Sequence, residues 1–108
     1  MMRGEIFATV GRGDFATKPR PALIVQTDLH NEVHPSITVC PITTTTTEER
    51  LYRIPIARND ANGLKYDSEI EIDKMQAIWR ARLGQHIGTV SPRIMVEVDI
   101  ALRRWLDL

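Results

Sequence analysis

Arg12, Lys18 and Arg20 crowd together against a single acid, Asp14. Attraction to phosphate depends on charges within about a Debye length, roughly 8 Å at physiological salt. Such a local excess could therefore hold a nucleic-acid backbone even though Lys plus Arg and Asp plus Glu both total 14 and the net charge is zero, so that the global basic signature of nucleic-acid binding is missing. Pro19-Arg20-Pro21 forces an extended backbone, because a residue before proline is pushed out of the α region. Arg20 is thus held at the mouth of the apolar run Ala22-Leu23-Ile24-Val25. Trp79, Arg80 and Arg82 form a second candidate group, since aromatic and guanidinium planes both stack on single-stranded bases. An equally weighted alternative makes Trp79 core and the two arginines rim charges of a dimer.

Other residue types give less. His30, His34 and His86 show no metal-ligand spacing. His30 and His34 are four apart, but they flank a polar loop ending in Pro35, and no metal is expected. Cys40 is the only cysteine, which excludes an internal disulfide. Its apolar neighbours Val39, Pro41 and Ile42 suit a buried structural thiol rather than a nucleophile.

These residues need elements to position them. Residues 5–10 are rich in β-formers and closed by Gly11-Arg12-Gly13-Asp14, so they read as a first strand and an exposed loop. Ala22 to Val25, apolar on both faces, reads as a second strand buried on both sides. Residues 27–35 are polar. Ile37-Thr38-Val39-Cys40-Pro41-Ile42 is a third strand that bends or ends at Pro41, which has no N–H to give a ladder. Of the five threonines that come next, Thr45 to Thr47 read as a solvated loop. Tyr52, Ile54 and Ile56 alternate as a half-buried edge strand, Asn59 to Gly63 reverse the chain, and residues 68–73 alternate as a fifth strand. Residues 84–90 are short and punctuated by glycine. Ser91-Pro92 then offers an N-cap serine and a proline for the first helical position. Ile94, Met95, Val98, Ala101, Leu102 and Trp105 recur at spacings of three and four, which predicts an amphipathic last helix on the sheet, with Arg103 and Arg104 on its solvated side.

A chain of 108 residues suffices for one domain, here 1–108, and for little more. Any large site then sits on one core or between copies. Hydrophobic residues at 43% and charged residues at 26% argue against wholesale disorder. No apolar run approaches the roughly 20 residues of a membrane helix, and the opening residues lack a signal-type stretch, so a cytoplasmic location with no membrane contact is the expectation. Short strands, regular turns and one terminal helix predict a mainly β fold: a small, strongly bent antiparallel barrel of about five to seven strands with a C-terminal α-helix.

Several strings in order carry a family likeness. Arg3-Gly4-Glu5-Ile6, Pro19-Arg20-Pro21-Ala22-Leu23-Ile24-Val25, Val39-Cys40-Pro41-Ile42-Thr43-Thr44, Ile78-Trp79-Arg80-Ala81-Arg82 and Gly88-Thr89-Val90-Ser91-Pro92 resemble the MazF/PemK toxin family along almost the whole chain. The resemblance implies an SH3-like barrel of the CcdB/PemK kind that dimerises so that an RNA groove lies across both subunits. It also implies an endoribonuclease of a type II toxin–antitoxin system, cutting single-stranded mRNA without metal or cofactor by attack of the 2′-hydroxyl on the adjacent phosphate. The implied partners are that RNA, a second copy and a cognate antitoxin whose disordered tail folds over Arg20.

In-line attack needs a proton acceptor, a proton donor for the leaving 5′-oxygen and positive donors around the phosphorane. Arg20 matches the family's arginine at the catalytic phosphate, where its planar fork suits phosphate oxygens. Its chief role is charge stabilisation, because arginine almost never deprotonates. Thr43 matches the threonine that follows the strand-ending Pro-x pair and could donate to a nonbridging oxygen. Asp73 resembles the family's acid after the fifth strand, as acid, base or base reader. Glu71 departs from PemK-like relatives, which carry an arginine two residues before that acid. The first loop, residues 11–18, is shorter than usual and lacks the family's His/Glu-Gln string. Arg12, Lys18, Thr44, Trp79, Arg80 and Arg82 are the expected RNA contacts, and Trp105 is core or antitoxin contact. Two other readings stay open: a non-enzymatic gyrase poison like CcdB, motivated by Trp105-Leu106-Asp107-Leu108 at the terminus, and a member with an impaired site that only binds RNA or antitoxin.

Overall fold

The computed structural model describes residues 1–10 and 19–108. Seven strands form an antiparallel sheet: β1 (Glu5–Thr9), β2 (Arg20–Ile24), β3 (Ser36–Thr43), β4 (Arg53–Ile56), β5 (Ser68–Glu71), β6 (Gln76–Trp79) and β7 (Leu83–Thr89). Their spatial order is β4-β5-β3-β2-β1-β7, with β6 also on β3. The short helix α1 (Asp28–Asn31) lies between β2 and β3, and α2 (Pro92–Leu106) closes the chain. The expected small antiparallel fold with a C-terminal helix is the one observed.

Strand β3 organises the sheet. One edge pairs with β2; the other pairs with β6 along Ser36 to Val39 and then with β5 at Ile42 and Thr43. Pro41 falls between those two stretches and, lacking an N–H, marks the change of partner. The strand continues past it to Thr43.

Because side chains alternate across a strand, the sheet is buried on both sides near β2 and β3. Ile6, Leu23, Cys40, Ile42, Ile54, Ile56 and Ile70 face one side, where Val98 and Ala101 of α2 cover them. Ala22, Ile24, Ile37, Val39 and Ile78 face the other, against Met1, Phe7 and Leu83. The run Ala22 to Val25 is buried throughout, as its unbroken apolarity predicts. Helix α2 starts where expected: the Ser91 hydroxyl accepts from the Ile94 N–H at 3.2 Å, with Pro92 in the first turn. Among the described residues no helix is long and apolar enough to cross a membrane.

Three local expectations fail. Residues 68–73 are not one strand: β5 ends at Glu71, and Ile72–Lys74 forms a 3₁₀ turn. Gln76–Trp79, not foreseen as a strand, pairs with β3, and the polar stretch before β3 contains α1. The strand Gln76–Trp79 and the 3₁₀ turn are set by partners distant in sequence, β3 and Tyr52, rather than by their own propensity, whereas α1 is started locally by the Thr27 hydroxyl, which accepts from the Leu29 N–H at 3.3 Å.

Cys40 is fully buried, and that burial pushes its thiol from 9.0 up to about 12. A thiol raised on folding contributes stability that is complete below pH 9 and is lost as pH rises toward 12. Thermal melts of wild type and Cys40→Val across this range should show a steeper alkaline loss for wild type, and parallel curves would contradict it. Native Cys40 should also resist alkylation at neutral pH.

Candidate active site at the rim of the sheet

The β1–β2 register sets Thr9 opposite Arg20, and the β3–β5 register sets Thr43 opposite Glu69. The β2–β3 pairs Ala22 with Pro41, Leu23 with Cys40 and Ile24 with Val39 run in constant register. Continued two residues outward, that register brings Arg20 level with Thr43. Directly opposed residues point to the same face with Cβ atoms about 4.5–5.5 Å apart. One row, Thr9, Arg20, Thr43, Glu69, therefore crosses four strands at the rim of the second apolar cluster. Arg20 and Thr43, 23 positions apart in the chain, are brought together by the sheet.

Arg20 is exposed and flanked by Pro19 and Pro21; its carbonyl accepts from the Thr9 hydroxyl at 3.0 Å. Among the described residues it makes no ion pair, which leaves its donors for an anion. The half-buried Thr43 has its Oγ1 taken as acceptor by the Thr45 N–H at 3.1 Å. Its own hydroxyl proton remains to be donated outward. The two side chains thus offer a planar cationic fork and a neutral O–H donor on one face.

Glu69, only 1% exposed, anchors the segment beyond Thr43. Both its oxygens accept from the Thr47 N–H, at 3.2 and 3.1 Å; Oε1 also accepts from the Thr47 hydroxyl at 3.2 Å, and Oε2 accepts from Arg50 at 3.3 Å. Thr45 and Thr46 are exposed as a solvated loop would be, but Thr47 is an anchor, correcting that part of the expectation. The signal missed in sequence was Glu69 itself, an acid alternating inward beside Ile70. It becomes legible only once β5 is paired with Thr43.

Asp73 lies just after β5, in a neighbouring cluster. Arg53 of β4 donates to it from Nε at 2.9 Å and from Nη2 at 3.4 Å, and pairs with Glu71 at 3.0 Å; Lys74 reaches Glu71 at 3.4 Å. The hydrogen bond with Asp73 raises the Arg53 pKa further above its ordinary value. Arg53 is the register partner of Glu71. The fold thus brings a guanidinium to Glu71 from the adjacent strand. Both oxygens of Asp73 are engaged by it.

The remaining candidates scatter. Thr44 is exposed, in the bend just past the end of β3. Trp79 is 58% exposed at the end of β6, opposite Ser36, which overturns its reading as core. Ser36 and Thr43 are the two ends of β3, about 23 Å of strand apart. Arg80 donates to the His34 carbonyl at 2.6 and 3.2 Å, and Arg82 to the Val10 carbonyl at 3.1 Å. Both tie chain segments together, and Arg82 stands near the row through Leu83, the partner of Thr9. Arg12 and Lys18 lie outside the described residues. Trp105 is 45% exposed, its ring edge on Tyr52 at 5.0 Å between centroids, so it is not core.

The chain is similar to known proteins along nearly its whole length. The family model described as "PemK-like, MazF-like toxin of type II toxin-antitoxin system" matches residues 2–106. The "Probable endoribonuclease MazF" of Mycolicibacterium smegmatis is 38% identical over 108 residues, covering 100% of this chain and 98% of that one. The endoribonuclease MazF9 of Mycobacterium tuberculosis is 30% identical over 116 residues, with the same two coverages of 100% and 98%. Among solved structures, the Mycobacterium tuberculosis toxin MazF-mt6 superposes with a TM-score of 0.81 at 27% identity, covering 96% of this chain and 97% of that one.

Proposed function

The chain belongs to the PemK-like, MazF-like toxin family of type II toxin–antitoxin systems, and from that membership we propose that it is a toxin endoribonuclease whose Arg20–Thr43 pair binds the scissile phosphate of single-stranded RNA. The observation that carries the site is the shared register row: a guanidinium with no ion pair among the described residues, beside a hydroxyl whose proton is free to donate, on one face of the sheet. The nucleophile is the substrate's own 2′-hydroxyl, so the protein has to supply charge and proton handling only. Arg20 neutralises the charge that grows on the nonbridging oxygens as the 2′-oxygen attacks, and Thr43 donates to one of them. The bond to the 5′-oxygen breaks, leaving a 2′,3′-cyclic phosphate and a 5′-hydroxyl. Asp73 and its cluster stand to the side and govern the local field rather than touch the phosphate.

A second copy of the chain completes the RNA groove, and the cognate antitoxin silences the toxin by laying a tail across Arg20. An additional seat for such a partner is the cleft of about 330 Å³ between β4 and α2, where Leu51, Ile54 and Ile100 lie between Arg50 and Arg104. The half-exposed Trp105 lies on the same helix as Ile100. The cytoplasm, where mRNA and antitoxin meet, is the proposed place of action. The gyrase-poison reading is not favoured, because the relatives that match across the chain are named endoribonucleases. Incubation of purified protein with single-stranded RNA in excess EDTA should give fragments ending in 2′,3′-cyclic phosphate and 5′-hydroxyl. Intact RNA, or fragments with 5′-phosphate, would overturn the proposal.

A further inference from the structure

At the rim of the sheet beside Arg20 and Thr43, a groove of about 690 Å³ opens between Pro19, Pro21 and Thr44 on one side and Lys65, Tyr66 and His86 on the other. Pro19 and Pro21 flank Arg20, and Thr44 follows Thr43, so the groove begins one residue, about 3.8 Å of chain, from each member of the pair. Its far wall is the loop joining β4 to β5, and that loop is built to be rigid. Asn62, buried, donates to the Ala57 carbonyl at 2.9 Å, and its Oδ1 accepts from the Asn59 and Leu64 N–H groups at 3.1 and 3.0 Å. The Arg58 N–H donates to Asp67 at 2.9 Å, and the Thr89 N–H of β7 to the Ala61 carbonyl at 2.9 Å.

Glycines let this loop lie flat on β7. A Cβ at Gly88 would fall 2.3 Å from the Asn62 carbonyl carbon, and one at Gly63, where φ is +66°, 2.2 Å from the Ile87 carbonyl oxygen. Only glycine permits that approach at either position. The outcome is a fixed platform that holds Tyr66 67% exposed, with Lys65 beside it and, among the described residues, in no ion pair.

We infer that this groove is a base-recognition pocket, which receives one unpaired nucleobase of the RNA next to the scissile phosphate, stacked on Tyr66, while Lys65 contacts a flanking phosphate. The inference rests on the reading of the chain as a ribonuclease. A flat aromatic presented on a preorganised loop loses little entropy on stacking, and every base offers it a π-face. Pro19 and Pro21 give the opposite wall apolar surface, and the exposed Thr44 adds a hydroxyl able to read a base edge, while the buried Ser68 donates to the Tyr66 carbonyl at 2.8 Å and fixes the aromatic's backbone. A lysine matches the phosphate backbone, whose neutralisation makes binding depend on salt.

The test uses the full-length chain carrying Arg20→Ala, so that RNA is bound but not cut, and fluorescent single-stranded hexanucleotides. Tyr66→Leu should weaken binding about tenfold and Tyr66→Phe hardly at all. Lys65→Ala should lower the slope of log affinity against log salt by about 0.7. Tyr66 is exposed, so all three variants should melt with the parent, and a folding defect is separately visible. In the cleaving protein, Tyr66→Leu should change base preference at one position beside the cut. Binding, salt slope and cleavage pattern all matching the parent would overturn the inference while leaving the nuclease reading intact. A protein with Arg20 intact that binds RNA through Tyr66 but never cuts would sink the nuclease reading and leave the pocket standing.

Discussion

Arg20→Ala should lower kcat on single-stranded RNA by about 10²–10³-fold, the usual loss when one preorganised donor to a developing oxyanion is removed, while the melting temperature stays close to that of wild type. The second half of that expectation follows from position: the side chain is exposed at the start of β2, and among the described residues it has no ion-pair partner to orphan. The first half follows from charge. Phosphorane formation adds negative charge on oxygens that Arg20 can contact with two parallel N–H donors, and Thr43 supplies only a neutral O–H. Arg20→Lys should recover part of the loss, because an ammonium keeps the charge but not the planar fork. Cleavage rates at saturating RNA, measured beside thermal melts, separate the two effects. A large drop in melting temperature would mean that Arg20 is structural.

Arg53→Leu should do the reverse and act mainly on stability. The Arg53 side chain is 15% exposed and bridges Glu71 and Asp73. Removing one partner of a buried ionic cluster leaves the other charges desolvated and costs about 3–5 kcal/mol. Lys74 still reaches Glu71, and Asp73 is partly exposed, so the lower end applies. About 3 kcal/mol corresponds to a fall in Tm of roughly 15 °C for a domain of this size. The double variant Arg53→Leu with Glu71→Leu should regain much of that loss, since an apolar pair leaves no unpaired charge at those positions. Equal melting of the single and double variants would show instead that the cluster is screened by solvent.

The parts of the fold legible in the sequence were those whose signal is local. The unbroken apolarity of Ala22 to Val25 announced a strand buried on both faces, and Ser91-Pro92 announced the start of α2. Pro41 marked a break, though what breaks there is the partner and not the strand. Less legible were β6 and the 3₁₀ turn after Glu71, because four residues such as Gln76 to Trp79 become a strand only when β3 offers them an edge. The site divides in the same way. Arg20 could be singled out by its two prolines, and Thr43 by its place after Pro41-Ile42. That they share a face with Glu69 depends on register between three strands. Sequence left Trp79 open between RNA contact and core, because burial of a large aromatic is decided by what covers it, and here nothing among the described residues does. Arg53 escaped notice since its importance lies in standing opposite Glu71, a relation that no spacing along the chain expresses.

The most direct test is a double-mutant cycle on RNA cleavage with Arg20→Ala, Thr43→Ala and both together. If the two side chains hold one phosphate, removing the second after the first should cost far less than removing it alone, so the losses will not multiply. Strictly multiplicative losses would mean that Arg20 and Thr43 act at separate places, and the assignment of one shared phosphate site would be wrong.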